Sequence, residues 1–271
     1  MRTRAAVLVA WSRAARMHAC TLDEAIAEID GDDELVTFNR AGITVSTRDA
    51  LVDLAACTGP IDLALPVPGD VRGLPGAGPW TALALDTGEA VVTGVEVLVP
   101  VIEAHGNDVE GYSTFTRWEI FAREVSATQA MPRAGLSEAD RELRLALTNA
   151  VDLLAAVDVA RWSPELAEAV ADIRSQRRGV DHFASTLPRS YGPHARELLA
   201  RARVVERIIE AALSIETTLL DSASTLERNR ALAGVAASVR ASICAALNEG
   251  DHEWTTERAR LQTNDPAQAQ Q

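Results

Sequence analysis

The chain has no lysine. All 26 basic residues are arginine. This removes several chemistries at the outset: a Schiff-base amine, the phosphate-gripping lysine of a Walker loop and the lysine of a Ser-x-x-Lys site all require a residue that is missing. Aromatic residues are also scarce, at 4% of 271 positions. The core must therefore be built from Ala, Leu, Val and Ile. Cysteine appears three times, at Cys20, Cys57 and Cys244, with no C-x-x-C spacing. Buried free thiols in a reducing compartment are the expectation, so the protein is read as cytoplasmic.

Long apolar runs are missing from the N-terminus. The stretch MRTRAAVLVAWSRAARMHAC has a basic start, but Arg13 and Arg16 interrupt it. The uninterrupted run from Ala5 to Trp11 is too short to span a bilayer and a poor match to a secretion signal. As a helix, the segment places Val7, Leu8, Trp11, Ala14, Ala15 and His18 on one face and leaves Arg4, Arg13 and Arg16 largely off it. Neither export nor membrane contact is expected.

Positive charge is in deficit as well. With 39 acidic residues the formal net charge is −13, which argues against a nucleic-acid partner, because phosphate binding needs a net basic face. The five histidines, His18, His105, His182, His194 and His252, show no H-x-x-x-H or H-E-x-x-H spacing, so neither a metal nor a cofactor is expected. The run DGDDE at 30–34 lacks the ligand spacing of a calcium loop and reads as a solvated helix exit. Arg177, Arg178, Asp181 and His182 read as a solvated helix face carrying an i,i+4 ion pair. No G-x-S-x-G elbow is present, and no catalytic residue is assigned.

What is present divides the chain in two. Residues 1–126 mix helix and strand signals. Thr21-Leu-Asp-Glu24 is a capping box, with Gly31 suited to the end of the short helix it starts. ELVTFN and GITVS, separated by Arg40 and Ala41, read as a hairpin. Ser46 or Thr47 caps the next helix. IDLALPV at 61–67 reads as a strand, and residues 79–87 fit either helix or strand. VEVLVPVIEA and STFTRWEIFA read as antiparallel strands, with Pro100 indicating an edge or a bulge. Trp118 reads as a core residue.

From Ser137 the pattern becomes helical. Leu143, Leu147, Ala150, Leu154 and Val157 alternate spacings of three and four. So do Leu198, Ala202, Val205, Ile209, Ala212, Glu216 and Leu219, with one polar interruption, while Leu232, Val239, Ile243 and Leu247 keep one face at spacings of seven, four and four, with small residues between. Ser163-Pro164 starts a helix, residues 187–193 break one, and Ser224-Thr-Leu-Glu227 is either a capping box for the last or part of one rod in which the third and fourth helices merge. The predicted fold is α+β: a mixed α/β domain with a small sheet over 1–126, then an all-α bundle of about four helices over 137–250. A linker at 127–136 joins them, and a disordered tail covers 262–271.

One stretch stands apart, PVPGDVRGLPGAGPW at 66–80, with four prolines and four glycines. Asp70, Arg72, Gly73, Gly76, Gly78 and Trp80 are its candidate ligand-binding residues. Glycines admit close backbone approach, and Arg72 offers a fork for a small anion. Against this, the prolines at 66, 68, 75 and 79 remove donors that a phosphate nest needs. A structural connector is the favoured reading of the loop. The function expected is therefore that of a non-catalytic interaction or scaffold protein. Its apolar helix stripes predict a homodimer or a protein partner through helix faces. The alternative is a binding protein or enzyme for a small anionic metabolite at 66–80.

Overall fold

A computed structural model describes residues 3–57, 59–107, 111–123, 135–156, 186–214 and 222–249. The chain is mixed α and β: a six-stranded mixed sheet with helices in the N-terminal part, and helices thereafter. It divides into two compact units. The first comprises residues 1–132 with 187–192 and 250–271, and the second comprises 133–186 with 193–249.

The first unit opens with α1 (Arg4–Arg16), which is buried almost all round, from Ala5 to Ala10 and again from Ser12 to Ala15. The one-sided pattern read from its sequence is therefore corrected. Arg13, expected off the apolar face, is 8% exposed. It is tolerated there because its Nη1 donates to the Ile61 carbonyl at 3.1 Å and lies 3.6 Å from the Asp62 carboxylate. At the other end of α1 the Ala5 amide donates to Glu89 Oε2 at 2.8 Å. A buried carboxylate from a residue distant in sequence thus satisfies one of the helix's orphan donors and complements its dipole.

The capping box of α2 (Leu22–Asp30) is formed on both sides: Glu24 N donates to Thr21 Oγ1, and Thr21 N to Glu24 Oε2. Those bonds, first the one from the Thr21 backbone, hold the Glu24 carboxyl below its usual range. Gly31 follows with φ +56°. The strands β1 (Leu35–Arg40) and β2 (Ile43–Val45) form the expected hairpin. Its loop is Ala41-Gly42, one residue later than the Arg40-Ala41 read from the sequence, with φ +52° and +85°, the positive pair that a two-residue turn requires. Ser46 Oγ then accepts from Asp49 N and caps α3 (Thr47–Ala56).

β3 is shorter than its sequence suggested, Ile61–Ala64, and buried at all four positions. The ambiguous segment after the loop is a helix, α4 (Thr81–Thr87), with Trp80 rather than Pro79 at its start. A strand missing from the sequence reading follows, β4 (Ala90–Thr93), also wholly buried. β5 (Glu96–Asn107) and β6 (Gly111–Ala122) pair antiparallel along their full length. The order is β2-β1-β6-β5-β4-β3, with β1 and β6 parallel and every other pair antiparallel.

The sheet is packed on two sides. Val97, Val99, Val92, Ala90 and Ala64 face one cluster with Leu74, Trp80 and Ala84. The alternate residues Leu63, Val91 and Leu98 serve the other side, where α1 lies against β3, β4 and β5. Trp118 is core, as expected: it is 1% exposed and stacks on Phe38 with ring centroids 5.8 Å apart.

The second unit contains α5 (Leu136–Ala156), α6 (Pro193–Ser214) and α7 (Ser222–Glu249), which pack on one another. Their stripes are buried: Ala139 and Leu143 on α5; Leu198, Ala202, Ile209 and Ala212 on α6; Leu232, Val239, Ile243 and Leu247 on α7. Ser242 donates its hydroxyl to the Ala139 carbonyl at 3.3 Å. Asp140 is paired with Arg144 on its own helix and with Arg201 on α6. α7 already runs from Ser222, so Ser224 does not cap it. The helix expected from Ser163, the Arg177–His182 face, the 127–134 part of the linker and the tail lie outside the described residues, as does the junction between α6 and α7. A window of α7, Asn229–Glu249, is long and apolar enough to cross a membrane, and half of it is buried within the protein.

Candidate functional site

The loop at 66–80 is held by its own residues. Val67 and Asp70 exchange both backbone hydrogen bonds, at 2.8 and 2.9 Å, around Gly69 at φ +88°. Asp70 then receives Arg72: Nε donates to Oδ1 and Nη2 to Oδ2, both at 2.8 Å. The guanidinium fork that a small anion would use is thus engaged by a carboxylate two residues away, although its side chain is 70% exposed.

The glycines serve packing. Gly73, at φ +97°, passes so close to β3 that a Cβ there would stand 2.8 Å from the Ala64 Cβ. A Cβ on Gly78 would stand 2.4 to 2.6 Å from three atoms of the Trp80 ring. Gly76 has φ +87° and its carbonyl accepts from Trp80 Nε1 at 3.4 Å. Trp80 itself is 6% exposed. The six candidate residues do come together, in two groups with different work. Asp70 and Arg72 form an exposed ion pair. Gly73, Gly76, Gly78 and Trp80, with Leu74, close the apolar cluster over the sheet. The helix that follows has seven residues, and Pro79 precedes it.

A second feature was not visible in the sequence. A groove of about 340 Å³ is lined by Arg40, Asp53, Leu54, Cys57, Thr93 and Glu96, among others. Arg40 bridges its two acids, 2.8 Å from Asp53 and 3.2 Å from Glu96. Its pKa is raised, first by the Asp53 hydrogen bond, with both carboxylate charges adding to it. These three residues come from β1, α3 and β5, so no local motif could have announced them. A cation between two anions leaves the groove with a surplus of negative charge, which suits structure better than anion capture.

The acids at 30–34 are partly built into the fold. Asp30 accepts from Thr47 Oγ1 at 2.9 Å. Asp33 accepts from Arg4 Nη2 and Thr116 Oγ1, each at 2.6 Å. Burial pushes the Asp33 carboxyl up, but those hydrogen bonds and the Arg4 charge outweigh it and leave the pKa lowered. Cys20 is shifted the other way, up to about 11, chiefly by burial and then by the Glu24 charge. Among the described residues, no group of three or more His, Cys, Asp and Glu side chains converges as a metal site.

Two domain families match the chain. Residues 5–134 match the N-terminal domain of Rv1486c-like proteins, and residues 137–244 match the C-terminal domain of the same proteins. No curated protein and no solved structure matches it.

Proposed function

We propose that this chain, which belongs to the Rv1486c-like protein family through both of its domains, is a non-catalytic scaffold protein that self-associates through its helical unit. The observation that carries the reading is the placement of leucine on that unit. Leu145, Leu213 and Leu226 are 58%, 54% and 59% exposed, one on each of the three helices, while Leu143, Leu198 and Ile243 on the same helices are at most 1% exposed. Exposed leucines on helices that already bury another face suit a helix-face interface. The form proposed for the unit is a bundle of about four helices.

Light scattering tests it. The expected mass at tens of micromolar, a range that reports interfaces of ordinary strength, is twice the 29.0 kDa of one chain. The double variant L145E/L213E returns it to one chain with its helix content unchanged. A wild-type mass of one chain throughout overturns the proposal.

The second reading, a small anion at 66–80, has the exposure of the Arg72 side chain in its favour. A ligand there must first take Arg72 from Asp70. Thermal shift against inorganic phosphate and a carboxylate panel separates the two readings. Stabilisation abolished by Arg72→Ala favours the anion, because binding to the folded state alone raises apparent stability.

A further inference from the structure

β5 is flanked by strands on both sides only near its start. Val97 and Leu98 are matched with Val92 and Val91 of β4, and among the described residues the sheet order puts no other strand on that side. Its opposite side is matched with β6 all the way from Glu96 to Asn107. Which backbone groups face outward follows from one bond. Arg123 N donates to the Val95 carbonyl at 2.8 Å. In an antiparallel ladder that direction alternates, so odd-numbered β5 residues turn their N–H and C=O toward β6 and even-numbered ones turn theirs away. Pro100 therefore sits where its missing N–H breaks no ladder bond. Beyond it, Ile102 and Ala104 present amides outward, residues 102–106 are exposed, and the chain has no lysine to blunt the edge.

We propose that this edge pairs antiparallel with the same edge of a second copy, about a two-fold axis at Ala104. The register follows from what stands on the strand. A two-fold at Ala104 sets Glu103 opposite His105 of the second copy, and His105 opposite the second copy's Glu103. Both pairs fall at the closely spaced, non-hydrogen-bonded positions, where side chains meet best. Within one chain the His105 ring already reaches the Glu103 carboxylate, at 3.6 Å, and rests edge-on against Phe115. Arg117 Nη1 donates to the same Glu103 carboxylate at 3.3 Å, and the register sets each imidazole opposite a carboxylate across the axis. A two-fold at Ile102 instead brings Pro100 opposite Ala104 and loses a ladder bond. The occupant is a second copy because the strand matches hydrogen-bond donor to acceptor with itself at this register: a two-fold at Glu103 instead opposes two carboxylates, and one at His105 opposes two imidazoles.

A strand pair of this length buries less than the roughly 1,200 Å² of a standard interface, so the association is weak and depends on concentration. It does not rest on the role proposed for the helical unit. Where both interfaces operate, two different two-fold contacts on one chain generate assemblies larger than a dimer.

Amide hydrogen exchange of the full chain carrying L145E/L213E reads the edge alone. The amides of Ile102 and Ala104 are expected to become protected between about 20 μM and about 1 mM, a range that brackets weak association. Those of Val101 and Glu103, bonded to β6, stay protected at both. Ala104→Pro removes an outward donor without touching the β6 ladder and is expected to abolish the protection of Ile102. Should that variant fold poorly, Glu103→Arg weakens the association and the swap of Glu103→Arg with His105→Glu restores it. Ile102 and Ala104 amides that exchange freely at about 1 mM, or that are equally protected at every dilution, overturn the proposal.

Discussion

Gly78→Ala tests the structural role of the proline-glycine loop most sharply, because the added methyl group meets a ring and not open space. The new Cβ would lie 2.4, 2.5 and 2.6 Å from Cζ2, Cη2 and Cε2 of Trp80. Carbon atoms prefer about 3.5 to 4.0 Å, so the indole must retreat by about 1 Å. It has no free room to do so. Trp80 is 6% exposed and packs with Leu74, Ala84, Val92, Val97 and Val99. The cost falls between overpacking, about 1–3 kcal/mol, and outright loss of a buried Trp, about 3–5 kcal/mol; we expect about 3 kcal/mol. Gly69→Ala is the internal control. Its φ is +88° and a Cβ there meets nothing within 4 Å, so it bears only the left-handed penalty of about 1–2 kcal/mol. In urea, followed by circular dichroism, the Gly78 variant is expected to lose about 1 M or more of midpoint and the Gly69 variant clearly less. If Gly78→Ala unfolds at the wild-type midpoint, the loop does not close the core and the packing argument fails.

Arg13→Met removes the cation from beside a nearly buried Asp62 and the donor from the Ile61 carbonyl. A loss of about 3 kcal/mol is expected, partly recovered when Asp62→Leu is added; a single variant within about 1 kcal/mol of wild type would contradict the account. Asp33 has a folded pKa below its unfolded one. Its contribution to stability is therefore present above about pH 4, the ordinary carboxylate value, and disappears as pH falls through the lower folded value. Asp33→Asn is expected to lower the urea midpoint at neutral pH, with the gap from wild type closing as the solution is acidified below pH ~4; a gap independent of pH counts against the assignment. With its thiol at about 11, Cys20 should alkylate about a hundredfold more slowly at pH ~8 in the native chain than in the unfolded one. Mass mapping that finds equal rates refutes the burial.

Much of the fold was legible because the signals were local. The Thr21–Glu24 box, the Ser46 cap and the hairpin around Ala41-Gly42 each depend on residues within a few positions of one another. The helix stripes were legible because 3.6-residue periodicity survives wherever one face is buried. β4 was not, because it is covered on both sides and shows no alternation, and it follows directly on a helix of similar composition. The parallel pairing of β1 with β6 joins residues about eighty positions apart, such as Phe38 and Trp118, and nothing local encodes it. Arg13 was misread because periodicity reports which face is apolar and not what a distant carboxylate can neutralise. In the candidate site, the glycines were visible but their purpose was not. Gly78 makes room for an indole that turns back over it, and that return is a tertiary fact. The pairing of Asp70 with Arg72 spans two residues and was open to prediction from spacing, yet both were offered only as candidate ligand residues of a loop read chiefly as a connector.

The claim on which the functional account turns is that chains of this protein meet through exposed helix leucines. Light-scattering mass measured over a concentration series, for the wild type and for L145E/L213E in parallel, addresses it directly. The account predicts a wild-type mass climbing to at least twice 29.0 kDa, with the variant well below it at every shared concentration. Superimposable curves for the two proteins would contradict it.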